Sequence, residues 1–215
     1  MKRFAALLIA GALALVAHAE PPVPVRDPQA PAARALVDLA KLDAGFRFEL
    51  RYATPDNFTK TTLYPVARAY LRREAADALV KVQRELAAQG LGLKIFDAYR
   101  PLSVQQKMWD LIRDDRYVSN PALNAGRHTR GSTVDVTLVD RDGRELPMPT
   151  PFDDFTERAH RDAPGTAPDA ARHSKLLETT MLKHGFLPYP FEWWHFDFRD
   201  WKNHPPLDVP LDQLP

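Results

Sequence analysis

The sequence predicts an α+β protein with a mainly antiparallel sheet and flanking helices. Segments with helical and strand periodicity follow one another in mixed order along the 215 residues, and no βαβ unit repeats. Asp142 and Gly143 form a turn pair between two strand-like segments, which is typical of a hairpin in an antiparallel sheet. The sequence contains no internal repeat, so a single domain over residues 35–215 accounts for these elements.

The first part of this domain is predicted to contain a strand, a helix and a second strand. From Phe46 to Tyr52 apolar residues alternate with charged ones, which is the period of a half-buried strand. Between 69 and 89 the apolar residues recur at helical spacing, and Gly90 follows as a terminator. The apolar segment 91–98 is then predicted to be a short strand.

The second part contributes two more helices and three strands. Ser103 and Gln106 have the spacing of a capping box that opens a helix, and Gly185 ends the last predicted helix. The remaining predicted elements are a strand over 133–139, its hairpin partner over 145–148, a helix over 170–184 and a strand over 191–198.

Residues 1–19 have the pattern of a secretory signal peptide. Lys2 and Arg3 precede an apolar stretch, and Ala17 and Ala19 are the small residues of a cleavage site. The apolar stretch is shorter than a membrane-spanning helix, which favours a removed signal over a retained anchor. The sequence has no cysteine, which excludes a lipid anchor. We therefore expect an exported, periplasmic protein with no stable membrane anchor after cleavage.

The composition predicts an extended N-terminal lead, argues against a nucleic-acid partner and excludes disulfides. Residues 20–34 are rich in proline and predict an extended lead before the domain. A net charge of +1 gives no electrostatic reason to expect a nucleic-acid partner. An exported chain without cysteine has no disulfides, so its stability depends on its core and on any bound metal. The sequence makes no prediction about oligomeric state.

Two distant segments together supply the side chains of a hydrolytic zinc site. His128 and Asp135 lie seven residues apart, and Gly131 between them allows the chain to fold back. With His195 they give two imidazoles and one carboxylate, which leaves a fourth tetrahedral position for water. Glu192 is a second carboxylate that could take the proton of that water. Structural zinc sites usually have four protein ligands rich in sulfur, so a metal bound here would be catalytic.

Each half of this pattern also has an ordinary structural explanation. Asp135 could cap a turn beside a surface histidine, and a strand could contain one hydrogen-bonded histidine next to an exposed glutamate. Strand alternation also places Glu192 and His195 on opposite faces, so both can reach one metal only if the chain bends near Glu192.

The other histidines are weaker candidates for ligands. His173 and His184 are too far apart on their predicted helix to form a paired site. His160 lies next to two arginines, His204 lies in a proline-rich tail, and His18 leaves with the signal peptide. One metal ion per chain is therefore the prediction.

Arg100 follows a buried-looking strand at the point where a proline ends it. A guanidinium at a strand end could stabilise the oxyanion of a tetrahedral intermediate. A structural role, in an ion pair with Asp97 or at a helix end, explains the same residue equally well.

Five segments in this order resemble the D-alanyl-D-alanine dipeptidases, the VanX-like branch of the zinc D,D-peptidases. The segments are 52–58, 96–101, 127–135, 151–155 and 192–196. The resemblance implies the α+β fold that zinc D,D-peptidases share with the hedgehog signalling domain, one Zn²⁺, and the small dipeptide D-Ala-D-Ala as substrate. It also implies a role for each matching position: zinc ligands His128, Asp135 and His195, general base Glu192, transition-state arginine Arg100, and Asp153 as the carboxylate for the substrate's amino group.

The chain departs from similar sequences at two positions, with Gly126 where serine is frequent and Thr133 where alanine is usual. Both departures bear on substrate affinity and specificity more than on the chemistry. Two other functions are compatible with the same metal centre: a D,D- or L,D-carboxypeptidase that trims longer wall peptides, and a non-catalytic zinc-binding wall module. Asp153 favours the dipeptidase over the first, and the presence of Glu192 and Arg100 argues against the second.

Overall fold

The computed structural model describes residues 23–215, so the predicted signal peptide lies outside the described residues. The helices are α1 (Pro31–Arg34), α2 (Arg73–Ala87), α3 (Leu102–Ile112), α4 (Pro121–Asn124) and α5 (Pro168–Lys183). The strands are β1 (Leu36–Asp38), β2 (Arg47–Phe48), β3 (Tyr70–Arg72), β4 (Gly92–Asp97), β5 (Thr133–Val139), β6 (Phe186–Pro188) and β7 (His195–Phe198). Among residues 23–215, none of the helices combines the length and the apolar character that crossing a bilayer requires.

Five of these strands form one sheet in the order β2-β4-β5-β7-β6. Only β2 and β4 pair in parallel within this sheet, and the other three neighbouring pairs are antiparallel. β1 and β3 form a separate antiparallel pair. The predicted α+β class with a mainly antiparallel sheet is confirmed.

The central strand β5 divides its side chains between a hydrophobic core and the candidate site. Val134, Val136 and Leu138 belong to the same buried cluster as Leu79 of α2 and Met181 of α5. Burial of each such side chain stabilises the fold by about 1.5–3 kcal/mol. The residues between them therefore point to the opposite face of the sheet, where the candidate site lies.

The strand register sets three polar residues side by side on that face. Asp135 of β5 is paired with Asp97 of β4 on one side and with His195 of β7 on the other. Paired residues on neighbouring strands have Cβ atoms about 4.5–5.5 Å apart, so their side chains meet. The sheet thus supplies the floor of the candidate site.

Two predicted elements near the N-terminus have different bounds. The strand predicted over 46–52 is reduced to β2, because the chain turns into a 3₁₀ helix at Arg51–Ala53. Phe48, which was expected on the buried face, is 38% exposed. The helix predicted over 69–89 begins only at Arg73, since the preceding residues form β3 and pair with β1. All three β3 residues are buried, and a strand buried on both faces lacks the alternation that would identify it.

Three predictions further along the chain are corrected as well. Ser103 does not cap α3: it lies within the helix, and its backbone N–H donates to Asp208 Oδ1 at 2.7 Å. The hairpin partner predicted over 145–148 is a single bridge between Val139 and Glu145. The strand predicted over 191–198 begins only at His195, and a short strand that the sequence did not predict, β6, precedes it.

The predicted proline-rich lead is attached to the rest of the chain over its described part. Val25 donates its N–H to Pro206 O at 2.9 Å and accepts the N–H of Asp208 at 2.8 Å. The end of the lead is helical rather than extended, since it forms α1 with a proline at the first helical position, where proline is tolerated. Ala33 of this helix is completely buried. The bounds of the domain stay a prediction.

Candidate metal centre

The turn before β5 brings His128 back towards the strand. His128 opens a 3₁₀ turn that ends at Gly131, which has a left-handed φ of 70°. A Cβ at this position would lie 2.5 Å from Leu36 Cδ2, so both the conformation and the packing favour glycine. As the sequence predicted, the fold-back places His128 beside Asp135.

His128, Asp135 and His195 converge, and all three are buried. His128 Nε2 lies 3.3 Å from His195 Nδ1 and 3.4 Å from Asp135 Oδ2, and His195 Nδ1 lies 3.1 Å from Asp135 Oδ1. Ligand atoms bonded to a tetrahedral zinc at about 2.0–2.1 Å are roughly 3.3 Å apart. The two contacts of Asp135 use different carboxylate oxygens, and one ligand atom from each of the three groups lies within 4.8 Å of the others, so the groups can share one metal ion.

The electrostatics of the cluster also favour a cation. Asp135 Oδ1 is buried and has no well-directed hydrogen bond, although such an oxygen is costly to bury alone. Burial alone would lower the pKa of His195, but the carboxylates of Asp197 and Asp135 raise it to about 10. The surroundings thus stabilise a positive charge where the three side chains meet, and the residues fit a divalent metal ion.

Neighbouring acceptors fix which nitrogen of each histidine faces the cluster. His128 Nδ1 lies 2.7 Å from Ala98 O, which can only accept, so this nitrogen carries the proton and Nε2 is left free. His195 Nε2 lies 3.2 Å from Asp197 Oδ1, which leaves Nδ1 for the cluster. Such contacts orient metal-binding histidines and select their tautomer.

Asp197 is itself held by two further side chains. Thr133 donates its hydroxyl to Asp197 Oδ1 at 2.8 Å, and Arg127 forms an ion pair with Oδ2. Burial alone would raise the pKa of Asp197, but His195 and Arg127 lower it to about 2. Asp197 is therefore ionised at neutral pH and available to accept from His195.

Glu192 lies in the turn just before β7 and is buried. Because the strand begins only at His195, alternation does not separate the two residues, and Glu192 Oε2 lies 3.4 Å from His195 Nδ1. The next residue anchors the turn: Trp193 donates its N–H to Ala159 O and its Nε1–H to Thr150 Oγ1, both at 3.0 Å. Burial raises the pKa of Glu192 to about 8.

Arg100 forms the ion pair that was one of its two sequence-based explanations. Its Nε and Nη2 donate to Asp97 Oδ2 at 3.0 and 2.7 Å, and Nη1 donates to Gln105 Oε1 at 2.8 Å. The side chain also lines the same cleft as His128 and Glu192. The ion pair and a position at the candidate site are therefore compatible.

Asp153 lies on another wall of this cleft, with a left-handed φ of 62° that aspartate tolerates better than most residues. Tyr52 donates its hydroxyl to the two carboxylate oxygens at 3.0 and 3.2 Å. Next to it, the Phe152 ring stacks on Phe96 at 4.5 Å and meets Trp194 edge-on at 5.3 Å, which fixes this segment. Desolvation raises the pKa of Asp153 to about 7.

Three of the histidines that the sequence analysis set aside have hydrogen-bond partners outside the cluster, and His18 lies outside the described residues. His160 contacts the Tyr117 hydroxyl at 3.1 Å and His184 contacts Glu85 Oε2 at 2.9 Å. His173 bonds to a backbone carbonyl and lies away from the cluster.

The sequence profile of the D-ala-D-ala dipeptidase family, peptidase family M15, matches residues 32–210. The chain belongs to this family. It is 38% identical over 172 residues to the D-alanyl-D-alanine dipeptidase of Escherichia coli K12, an alignment that covers 80% of this chain and 89% of the relative. The D-alanyl-D-alanine dipeptidase of Enterococcus faecium is 33% identical over 176 residues, covering 73% of this chain and 87% of the relative. The predicted resemblance to the D-alanyl-D-alanine dipeptidases is thereby confirmed.

A solved structure with some likeness to this chain is the vancomycin resistance D,D-pentapeptidase VanY in complex with Zn(II). Its TM-score is 0.41 at 14% identity, and the match covers 63% of this chain and 76% of that one. A likeness this weak does not bear on the site, which is described by the chain's own residues.

Thr133 and Gly126, the two departures noted in the sequence analysis, each have a structural counterpart. Thr133 donates its hydroxyl to Asp197 Oδ1. Gly126 has a left-handed φ of 83°, and a Cβ there would lie 3.1 Å from the side chain of Gln105. Gln105 therefore occupies space beside position 126.

Sequence reasoning did not identify several residues of the site. Asp197 could have been predicted, because it lies two residues after His195 in a predicted strand and so points to the same face of the sheet. Tyr52 and Gln105 had no such signal, since Tyr52 meets Asp153 across 101 residues and the partner of Gln105 depends on the position of α3.

Proposed function

We propose that this protein is a zinc-dependent dipeptidase that hydrolyses D-Ala-D-Ala to two molecules of D-alanine. One observation carries the proposal: two imidazoles and a carboxylate converge closely enough to hold one metal ion, and a separate buried glutamate lies 3.4 Å from one of the imidazoles. The names of the family and of its relatives supply the substrate.

His128, Asp135 and His195 would hold the zinc, and Glu192 would remain outside this set. Zinc, when bound, polarises a carbonyl group and lowers the pKa of water. Glu192 accepts a proton from the attacking water at its carboxylate and later delivers it to the leaving amine, so the carboxylate is regenerated. Burial raises the pKa of Glu192, and the charge of a bound zinc ion would lower it again towards the neutral range, where a carboxylate can accept and then donate a proton.

Arg100 donates hydrogen bonds to the carbonyl oxygen as this atom gains negative charge. A guanidinium has five N–H groups, and the contacts with Asp97 and Gln105 use three of them. The remaining two are available to the substrate in a cleft that excludes much of the water. Removal of a donor of this kind costs about 10²–10³ in rate.

Asp153 binds the ammonium group of the dipeptide, and the Tyr52 hydroxyl orients its carboxylate. Pairing of ammonium with carboxylate in a poorly solvated cleft is a charge-assisted contact. A substrate whose amino group is acylated cannot form it, so wall peptides with a blocked N-terminus are poor substrates.

The deciding experiment compares free D-Ala-D-Ala with N-acetyl-D-Ala-D-Ala as substrates of the purified mature protein. We expect release of D-alanine from the free dipeptide, loss of activity with a chelator, and recovery on addition of zinc. Preferred cleavage of the acetylated substrate would instead identify a carboxypeptidase. Zinc uptake without cleavage of either substrate would identify a binding module.

The same proposal includes export. Lys2, Arg3 and the following apolar stretch have the composition of a signal peptide with a cleavage site before Glu20. The protein would then process dipeptides outside the inner membrane. Sequencing the N-terminus of the protein from fractionated cells tests this, because a chain that still begins at Met1 in the cytosolic fraction contradicts it.

A further inference from the structure

Gln105 is a buried amide on the first turn of α3, with only 2% of its surface exposed. Its Oε1 accepts the Nη1–H of Arg100 at 2.8 Å, and its Nε2 donates to Ser119 O at 2.8 Å. Both polar ends of the side chain are thus used. One end holds the arginine of the candidate site and the other holds a segment that lines the same cleft.

The backbone beside Gln105 leaves room for this bridge. Gly126 has no Cβ, and one built there would lie 3.1 Å from both Cγ and Cδ of Gln105. The amide therefore packs directly against the main chain two residues before His128. Close packing on one side and two hydrogen bonds restrict the side chain to one rotamer.

Gln105 and Asp97 hold Arg100 from different sides. Asp97 takes Nε and Nη2, and its own Oδ1 is fixed by the Tyr64 hydroxyl at 2.7 Å and the Ala98 N–H at 2.9 Å. Gln105 takes one hydrogen of Nη1. One N–H on each terminal nitrogen is left over, and its direction depends on both acceptors because the guanidinium is planar and rigid.

We propose that Gln105 is a positioning residue for the dipeptidase reaction: it orients Arg100 towards the carbonyl oxygen of the substrate and ties that orientation to the cleft wall at Ser119. This inference rests on the proposed function. It assigns Gln105 an effect on the transition state, where negative charge develops, and little effect on binding of the ground state.

The test replaces Gln105 by methionine, which has similar length and no hydrogen-bond acceptor for Arg100. We expect Gln105→Met to lower kcat by about 10–100-fold, part of the effect of losing a full oxyanion donor. KM and zinc content should stay near wild type. Binding of a phosphinate analogue of D-Ala-D-Ala, which mimics the tetrahedral state, should weaken by the same factor as kcat/KM. A merely structural role would not produce this match.

Gln106→Met is the matched control, because Gln106 is the exposed neighbour on α3 and donates to Asp110. It should leave kcat, KM and analogue binding unchanged. Gln105→Glu is the second variant, since it keeps an acceptor for Arg100 and loses the donor to Ser119. It should bind the phosphinate more tightly than Gln105→Met, and equal loss in both would overturn the role of the acceptor.

A double-mutant cycle with Arg100→Met decides whether Gln105 acts through the arginine. In the Arg100→Met background, Gln105→Met should lower kcat by less than about twofold, because residues that act as a unit are not additive. Full additivity overturns the inference. If the wild-type protein fails to cleave the dipeptide, the proposed function is wrong. If it cleaves normally and Gln105→Met has wild-type kcat, only the positioning role is wrong.

Discussion

The metal side and the substrate side of the cleft are built in different ways. On the metal side, Asp135 and His195 are register partners on paired strands, and His128 is oriented by a backbone carbonyl. On the substrate side, Arg100 and Asp153 lie outside the strands, and other side chains hold them in place. Backbone pairing places Asp135 and His195, and the Asp197 carboxylate then orients the His195 ring, whereas side-chain contacts hold Arg100 and Asp153. Metal binding and turnover should therefore be separable by mutation.

The largest expected effect is that of replacing Glu192, which should separate metal binding from turnover. Glu192→Ala removes the proposed base and leaves all three ligands, so the variant should bind one zinc per chain and lose about 10²–10⁴ in kcat. His128→Ala removes a ligand and should lose both zinc and activity. Zinc content by elemental analysis and dipeptide hydrolysis measure the two effects. Loss of zinc from Glu192→Ala, or wild-type turnover by it, would show that Glu192 is not a separate base.

The same contrast explains how much of the fold the sequence could predict. β5 was predicted with its observed bounds, because Val134, Val136 and Leu138, which enter the core, alternate with the polar residues on the face of the candidate site. The segment before β7 was predicted as strand, yet contacts of Trp193 with Ala159 and Thr150 hold it in a turn. These partners lie more than thirty residues away in sequence, where local periodicity carries no information.

The candidate site follows the same division. The three converging groups were predictable from short spacings in two segments, since Gly131 and the strand fix their directions. The contacts on the substrate side depend on side chains brought together from distant parts of the chain. For Arg100 the sequence left two explanations open. The ion pair with Asp97 confirms the structural one, and the oxyanion role stays a proposal for a side chain that also lines the cleft.

The second prediction concerns the substrate side alone. Asp153→Asn removes the negative charge that pairs with the substrate's ammonium, and loss of such a charge-assisted contact costs about 1.5–3 kcal/mol. This corresponds to a fall in kcat/KM of about 10–150-fold, mostly through KM, with zinc content unchanged. Asp154→Asn is the matched control, because Asp154 pairs with Arg158 and does not line the cleft. An equal rise in KM for both variants would assign the effect to the fold of this segment.

The smallest expected effect is a pH dependence of KM that has its origin on the substrate side. Asp153 binds an ammonium only when ionised, and desolvation raises its pKa to about 7, so the ionised fraction falls as the pH falls through this value. A zinc cation in the same cleft lowers the pKa, which places the transition at or below that pH. KM should double at the pKa and then rise about tenfold per pH unit below it.

In Asp153→Asn this rise should disappear, while the acid limb of kcat, which reports Glu192, should persist. A rise of KM at low pH that persists unchanged in Asp153→Asn would contradict recognition of the ammonium by Asp153, and it would leave the metal side untouched.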